Sequence, residues 1–171
     1  MTGEVHVLLV TGSTRGASTN TATLRTARLV APEGVTAVLF DGLADLPAFN
    51  PDADEQAPHD AVRNLRRRLA VADAVLFCTP EYAGSLPGSF KNLIDWTIGS
   101  GELYRKPVAW INVAAPGRGA GASADLAKVL RYVDAAVIVP ACVHLPVPAP
   151  RSDRTAPWPT RSSVTGSHRC C

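Results

Sequence analysis

The sequence predicts an α/β domain in which helices cover both faces of a parallel β-sheet. Apolar runs alternate with helical patterns along the chain, and residues 5–10 and 74–78 are almost continuously apolar. Strands with this pattern are buried on both faces, as is typical of parallel sheets. A chain of 171 residues, with 46% hydrophobic and 19% charged residues, suits one such domain with a sizeable core.

Five strands are predicted, and they alternate with four helices. Helical patterns cover residues 19–31, 59–71, 87–98 and 122–133, whereas the Pro- and Asp-rich residues 43–57 predict a loop. Five parallel strands with helical crossovers favour the order 2-1-3-4-5, a flavodoxin-like doubly wound sheet in three α/β/α layers. Ligands of such sheets bind at the carboxyl ends of the strands. The predicted strands are residues 5–10, 35–40, 74–78, 107–113 and 135–139, and residues 142–145 are left open as a continuation of the last.

The charge balance gives no sign of a nucleic-acid surface. The formal net charge is +2, but residues 148–171 contain four arginines and one aspartate, so residues 1–147 carry a net charge of −1. Nucleic-acid partners are therefore not expected, because they require a basic patch on the folded body. The arginines of the second predicted helix are expected to face mostly solvent: Arg63, Arg66, Arg67 and Arg68.

Cysteine usage and hydropathy favour a cytoplasmic protein without a bound metal. Cys78 and Cys142 lie in apolar runs, which predicts small core residues, and Cys170 and Cys171 are adjacent. No cysteine pair has metal-ligand spacing, and a disulfide framework is not expected, in agreement with a reducing compartment. The apolar start lacks the basic segment of a signal peptide, and no run is long enough to span a bilayer.

A polar loop, TGSTRGASTN at residues 11–20, joins the first strand to the first helix. Free N–H groups at the start of that helix, together with its dipole, favour an anion, and Arg15 adds a positive charge. The loop suits a terminal phosphate, since it has several hydroxyls but neither the lysine of a Walker loop nor the glycine spacing of a dinucleotide fold. The alternative is a polar turn in which Ser18 or Thr19 is an ordinary N-cap.

A second loop, TPEYAGSLPGSFKNLIDW at residues 79–96, follows the third strand. Tyr82 offers an aromatic plane beside the backbone amides of residues 81–85, which is what a flat heteroaromatic ring requires. Other interpretations stay open for the helix that follows. Lys91 and Asp95 would form an ordinary i,i+4 surface pair, and Trp96 would pack in the core.

A third loop, AAPGRGAGAS at residues 114–123, is expected at the same edge of the sheet. Its three glycines allow a ligand to approach the backbone closely. The alternative is a mobile connection, since many glycine-rich loops have no other role.

Together, these stretches resemble the NADPH-dependent FMN reductases, a family that includes reductases of quinones, azo dyes and chromate. The shared segments are GSTRGASTN, LPAFNPDAD, ADAVLFCTPEYAGSLPGSFKNLIDW and ELYRKPVAWINVAAPGRGAG, and they span about residues 5–145. The resemblance implies FMN as cofactor, NADPH or NADH as co-substrate, and a small-molecule electron acceptor. It also implies a homodimer or homotetramer, with Lys91, Asn92 and Asp95 near a subunit interface.

The resemblance further implies which residues contact the cofactor. The first loop would bind the FMN phosphate, the second would border the isoalloxazine ring and the ribityl chain, and the third would complete the ring site. No catalytic acid or base is required, because the chemistry belongs to the cofactor. The implied phosphate ligands are Ser13, Arg15, Ser18, Thr19 and Asn20. The implied ring-site residues are Pro80, Glu81, Tyr82, Ala83, Gly84 and Ser85, together with Ala115, Pro116 and Gly117.

The chain departs from the family pattern at two places. Ala83 follows PEY, where the family commonly has asparagine, and this change is expected to tune the site without abolishing binding. After Val147 the composition changes abruptly, with four prolines and no helical periodicity in residues 148–171. We therefore expect a flavin-binding domain over residues 1–147 and a disordered tail in place of the family's final helix, for instance through a reading-frame change. One sheet face near the fifth strand would then be under-covered.

The predicted function is that of an oxidoreductase that passes a hydride from NADPH to bound FMN and then to a quinone, azo, metal or free-flavin acceptor. A flavodoxin-type electron carrier is one alternative, although carriers are usually strongly acidic and residues 1–147 are not. An inactive or regulatory domain that keeps the fold is another. The acceptor and the choice between NADPH and NADH stay open.

Overall fold

A computed structural model describes residues 3–56 and 58–147, so the predicted tail at 148–171 lies outside the described residues. The strands all pair in parallel, and five of them follow the order β2-β1-β3-β4-β5, which confirms the predicted sheet. The strands are β1 (Val5–Thr11), β2 (Val35–Phe40), β3 (Ala74–Cys78), β4 (Pro107–Asn112), β5 (Ala136–Val137) and β6 (Val143–His144). The α-helices of the described ranges are α1 (Thr19–Leu29), α2 (Pro51–Gln56), α3 (Asp60–Val71), α4 (Gly88–Asp95) and α5 (Ala120–Tyr132).

The two faces of the sheet pack against different helices. On one face, apolar side chains of α3, α4 and α5, such as Leu65, Phe90 and Leu126, are fully buried against the strands. On the other face, Leu24 of α1 packs with Leu9, Cys78 and Val113. Within the described ranges, α1 is the helix that covers this second face, and Leu76 and Ile111 there are half-buried. The predicted under-covering near the fifth strand stays a prediction, because residues 148–171 lie outside the described chain.

The last part of the sheet is shorter than predicted. The predicted strand at 135–139 forms only β5, which pairs with the start of β4, whereas β6 pairs with its end. A 3₁₀ turn at Val139–Ala141 separates them. Pro140 lies in this turn, and proline cannot donate to a strand ladder. Cys142 directly follows the turn and is only half-buried, so its predicted place in the core is wrong.

The predicted loop at 43–57 contains a 3₁₀ turn at Leu43–Asp45 and the short helix α2. The start of α2 has clear local causes. The side chain of Asn50 accepts a hydrogen bond from the Asp52 N–H at 3.1 Å, and Pro51 occupies the first helical position, where proline is favoured. The prediction failed because Pro and Asp are typical of both loops and helix starts.

Helix α2 also explains why Arg66 is not a solvent-facing residue. The side chain of Arg66 is 16% exposed, and its Nη2 lies 2.7 Å from Asp54 Oδ1 of α2. The same guanidinium donates to the carbonyl oxygen of Trp96 at 2.6 and 3.0 Å. Arg66 therefore ties α3 to α2 and to the end of α4. Trp96 itself is buried, and Lys91 pairs with Asp95, as the structural alternatives predicted.

No helix within residues 3–56 and 58–147 combines the length and apolar character that a membrane crossing requires.

Candidate functional site

Three loops meet at the carboxyl end of the sheet, where the sequence predicted a site. The first two are in close contact, since the Gly12 N–H donates to the carbonyl oxygen of Cys78 at 2.8 Å. A Cβ atom on Gly12 would lie 2.1 Å from Thr79 Oγ1 and 2.5 Å from Thr79 Cβ. The loop after β1 can therefore lie against the loop after β3 only because residue 12 is glycine.

The loop after β1 is held in place by its own hydroxyl groups. Thr11 Oγ1 and Thr21 Oγ1 are hydrogen-bonded at 3.0 Å, and Thr11 Oγ1 also accepts from the Ser13 N–H at 3.3 Å. Ser13 Oγ accepts from the Arg15 N–H at 3.3 Å. Thr11, Ser13 and Thr21 are buried, while Arg15 is exposed. The loop's own hydrogen bonds thus fix its path, and its one cation, Arg15, faces outward.

Helix α1 begins at this loop with unpaired backbone donors. Ser18 is the N-cap, and its side chain accepts from the Thr21 N–H at 3.3 Å, as the N-cap alternative predicted. Over the described ranges, the N–H groups of Ser18, Thr19 and Asn20 have no acceptor. Such donors at a helix start form an anion site. The N-cap role of Ser18 and an anion at the neighbouring amides are therefore compatible.

Cys78 lies directly beneath this loop. Its thiol donates to Asn20 Oδ1 at 3.3 Å, and burial raises the pKa of the thiol to about 12. Cys78 is therefore a protonated core residue, as predicted, and not a nucleophile. Asn20 was predicted as a phosphate ligand, and its side-chain oxygen is directed toward β3 instead of the loop.

The loop after β3 contains a tight two-residue turn at Ala83 and Gly84. Tyr82 and Ser85 exchange two backbone hydrogen bonds of 3.0 Å, and the turn residues have φ values of 51° and 76°. Two positive φ values between such a pair are the signature of a type I′ turn, which favours asparagine and glycine. Ala83 is therefore a strained residue. The turn leaves Tyr82 52% exposed, so its ring is accessible.

Two side chains of the same loop bind to helix α5. A carboxylate oxygen of Glu81 accepts from the Ala122 N–H at 3.1 Å, and Ser85 Oγ donates to Asp125 Oδ2 at 2.5 Å. The N-cap of α5, Gly119, has no side chain, so Glu81 supplies a negative charge to the positive end of this helix. Glu81 and Ser85 were predicted as ring-site residues, and their side chains serve to fix the loop.

The third loop, here called the glycine loop, is residues 113–119. Asn112 at the end of β4 accepts from the Ala114 N–H at 3.0 Å and donates to the Gly119 carbonyl oxygen at 3.1 Å. His144 Nε2 lies 2.8 Å from the Ala114 carbonyl oxygen. The predicted residues Ala115, Pro116 and Gly117 are exposed at the centre of this loop. Neither Asn112 nor His144 was predicted as a site residue from the sequence.

A groove with a volume of about 320 Å³ runs between these three loops, and we call it the carboxyl-end groove. Its walls are the start of α1, residues 79–81, the glycine loop and Val147. Arg118 also lines the groove, is exposed, and meets no carboxylate within ion-pairing distance among the described residues. The groove thus combines free amides at the start of α1, the half-buried hydroxyls of Thr19 and Thr79, and an accessible guanidinium. This set of donors fits a phosphate-bearing planar ligand.

Comparisons with known proteins agree with this geometry. A family model described as NADPH-dependent FMN reductase matches residues 5–147. An NAD(P)H-dependent FMN reductase of Pseudomonas aeruginosa is 35% identical over 137 residues, which cover 78% of this chain and 74% of that protein. A quinone reductase of Escherichia coli K12 is 32% identical over 143 residues, or 81% of this chain and 76% of that protein.

A solved structure gives the same picture. The flavoenzyme NAD(P)H:(acceptor) oxidoreductase FerB of Paracoccus denitrificans superposes with a TM-score of 0.70 and is 34% identical, covering 78% of this chain and 75% of that one. Azoreductase structures below 25% identity share the fold. The chain therefore belongs to the NADPH-dependent FMN reductase family, which confirms the resemblance seen in its sequence motifs and the predicted oxidoreductase class.

Proposed function

We propose that this chain is an FMN-dependent NAD(P)H oxidoreductase that binds its flavin in the carboxyl-end groove. The observation that carries the proposal is the convergence of three loops on one groove, with free amides at the start of α1. When bound, FMN would supply the hydride-transfer chemistry that links NADPH to the second substrate. The protein's own residues supply binding and orientation.

The loop after β1 would hold the phosphate. The N–H groups of Ser18, Thr19 and Asn20 would donate to its oxygens, and Arg15 would add charge at the outer side. Free amides at the start of an eleven-residue helix support this assignment. Because the hydroxyls of Ser13 and Ser18 accept from the loop's own backbone, their part is to shape the loop.

Backbone atoms of the other two loops would border the flavin ring. Pro80 and Glu81 of one loop and Ala115 of the other line the groove, and both loops are anchored by side-chain hydrogen bonds. The half-exposed ring of Tyr82 is accessible for stacking on a planar substrate. Such anchoring keeps the amides aimed at the site before the ligand arrives, which reduces the entropy cost of binding.

The second substrate would be a small molecule that enters the open groove. We propose a quinone as the first acceptor to test, because relatives of more than 30% identity include proteins named quinone reductase. An azo dye is the next candidate, since an NADPH azoreductase of a Bacillus strain is 38% identical over 82 residues. Arg118 supports a preference for NADPH over NADH, because its free guanidinium could pair with the additional phosphate of NADPH.

We also propose that the protein works as a homo-oligomer in the cytoplasm. Tyr132 is 81% exposed, and with Ile98 and Lys91 it borders a groove of about 320 Å³ between α4 and α5, a surface that a second copy could cover. Two free cysteines among the described residues suit a reducing compartment. Light scattering of the purified full chain would measure the assembly, and a monomeric mass would refute it.

The function is tested by loading the purified full chain with FMN and adding NADPH without oxygen. Loss of the visible flavin absorbance is expected, and an unchanged spectrum would refute the reductase assignment. Steady-state NADPH oxidation with added quinone then separates an enzyme from an electron carrier. A carrier would show no acceptor-dependent NADPH turnover.

A further inference from the structure

We propose that Asn112 is a positioning residue for flavin binding, because its side-chain amide holds the glycine loop in the conformation that receives the ring. The inference rests on the proposed function, since it assumes that residues 115–117 border the flavin. Asn112 itself lies behind the loop and is half-buried. It would therefore act through the loop and not by touching the ligand.

The amide of Asn112 uses both its acceptor and its donors. Its Oδ1 accepts from the Ala114 N–H at 3.0 Å, and its Nδ2 donates to the Gly119 carbonyl oxygen and to Ser123 Oγ, both at 3.1 Å. These bonds join the first residues of the glycine loop to its last residue and to helix α5. One side chain therefore closes the loop at its base.

The fit between Asn112 and the end of the loop is tight. Gly119 has a φ of 80°, and a Cβ atom there would lie 2.5 Å from Asn112 Oδ1 and 2.6 Å from Asn112 Nδ2. The amide thus packs directly on the backbone of residue 119, where only glycine leaves room. The base of the loop is therefore a close contact between two residues that are seven positions apart.

Among the described residues, the start of the loop is also held by His144 Nε2, 2.8 Å from the Ala114 carbonyl oxygen, and by the Val147 N–H, which donates to the Val113 carbonyl oxygen at 3.1 Å. The centre of the loop has fewer contacts. Ala115, Pro116 and Gly117 are exposed, and the loop's internal backbone bond runs from the Arg118 N–H to the Ala115 carbonyl oxygen at 3.0 Å. Without the amide of Asn112, the loop would spend a smaller fraction of its time in the binding conformation. The apparent dissociation constant of the flavin rises in inverse proportion to that fraction.

The substitution Asn112→Asp provides a chemical test of this role. Aspartate keeps the acceptor for the Ala114 N–H, but as a carboxylate it places its second oxygen against the Gly119 carbonyl oxygen, where two acceptors repel each other. The Ser123 hydroxyl can turn to donate to that second oxygen, so the bond that is lost is the one to Gly119. When protonated, it can donate to that carbonyl and restore the bond. The titratable groups nearby are His144, which pairs with residue 112 across the sheet, and Glu81 and Asp125 beside α5. They titrate in the wild type as well, so the ratio of variant to wild type removes their direct effect on flavin binding and keeps only their interaction with the new carboxylate.

Asn92 offers a matched control at another place in the fold. Its Oδ1 accepts from the Phe49 N–H at 2.7 Å, and its Nδ2 donates to the Pro47 carbonyl oxygen at 2.9 Å. Asn92→Asp is therefore the same chemical change in the same type of backbone clip, on a loop that takes no part in the carboxyl-end groove. Both variants should lower the melting temperature, and only the variant at residue 112 should change flavin affinity.

The experiment is a fluorescence titration of the full chain with FMN and with riboflavin, at about pH 5 and about pH 8. An aspartate with a raised pKa titrates between these two values. For Asn112→Asp we expect binding of both flavins to weaken about tenfold relative to wild type at the higher pH and to recover to within about threefold at the lower pH. Riboflavin lacks the phosphate of FMN. An equal loss of affinity for both flavins would therefore show that the substitution affects binding of the ring and not of the phosphate.

Three results would overturn the inference. One is a flavin affinity of Asn112→Asp that equals wild type at the higher pH, and another is the same pH-dependent loss in Asn92→Asp. If Asn112→Asp does not fold, Ser123→Ala decides, since it removes one of the three partners and should weaken binding about two- to fivefold. The third result that would overturn the inference is a flavin affinity of Ser123→Ala that equals that of the wild type. A wild-type chain that binds no flavin would instead refute the proposed function itself.

Discussion

Replacing Ala83 by asparagine should stabilise the fold, because residue 83 has a φ of 51° at the first central position of a type I′ turn. Asparagine is several-fold enriched over other non-glycine residues at positive φ. An enrichment of three- to fivefold corresponds to about 0.7–1 kcal/mol. In a domain of this size, 1 kcal/mol shifts the melting temperature by about 2–4 °C. The variant should therefore melt about 1.5–4 °C above the wild type.

The assay is thermal unfolding of the full chain without flavin, followed by far-ultraviolet circular dichroism. Ala124 gives a matched control, since it is exposed within α5 and has ordinary helical geometry. There the same change to asparagine should cost up to about 0.7 kcal/mol of helix propensity and lower the melting temperature. Shifts of the same sign in both variants, or no gain in Ala83→Asn, would refute the turn argument.

Three further predictions concern the carboxyl-end groove and the core beneath it. Gly12→Ala should weaken FMN binding at least about tenfold, because the new Cβ atom overlaps Thr79. The control is Gly16→Ala in the same loop, whose Cβ meets nothing within 4 Å and which should bind FMN normally. Equal FMN affinities of the two variants in a fluorescence titration would contradict this prediction. Arg15→Gln should weaken FMN about two- to fivefold and leave riboflavin unchanged, because an exposed arginine contributes modestly to a phosphate contact; equal losses for both flavins would count against the phosphate role. Since the pKa of Cys78 is raised to about 12, the unfolded chain loses this proton near pH 8.5 while the folded chain keeps it, so stability falls as the pH rises between these values. Cys78→Ala should reduce that slope by up to about 1.4 kcal/mol per pH unit in urea unfolding, and parallel slopes would show that the thiol does not contribute.

The sheet could be predicted from the sequence because its signals are local. Continuous apolar runs identify β1 and β3, and the topology of parallel strands brings their carboxyl ends together. The loops that carry Arg15 and Tyr82 follow these strands directly. The sequence therefore predicts that these loops meet at one edge of the sheet.

The anchoring side chains could not be predicted, because their partners are distant in the chain. Glu81 binds to the amide of Ala122, 41 residues away, and Ser85 binds to Asp125, 40 residues away. Asn112 is nearer to Gly119, but their contact depends on the path of a loop with positive-φ glycines. The burial of Arg66 could not be predicted for the same reason. Periodicity predicts which face of α3 packs against the sheet, but not that Asp54 of α2 pairs with Arg66.

The interrupted end of the sheet also has a consequence for behaviour at high concentration. A long, flat edge strand presents a row of free amides and carbonyls on which another molecule can add a strand. Beyond β4, the described chain presents two residues in β5, a turn that contains Pro140, and two residues in β6. Such a broken border offers no continuous template, so it protects this side of the domain against edge-to-edge aggregation.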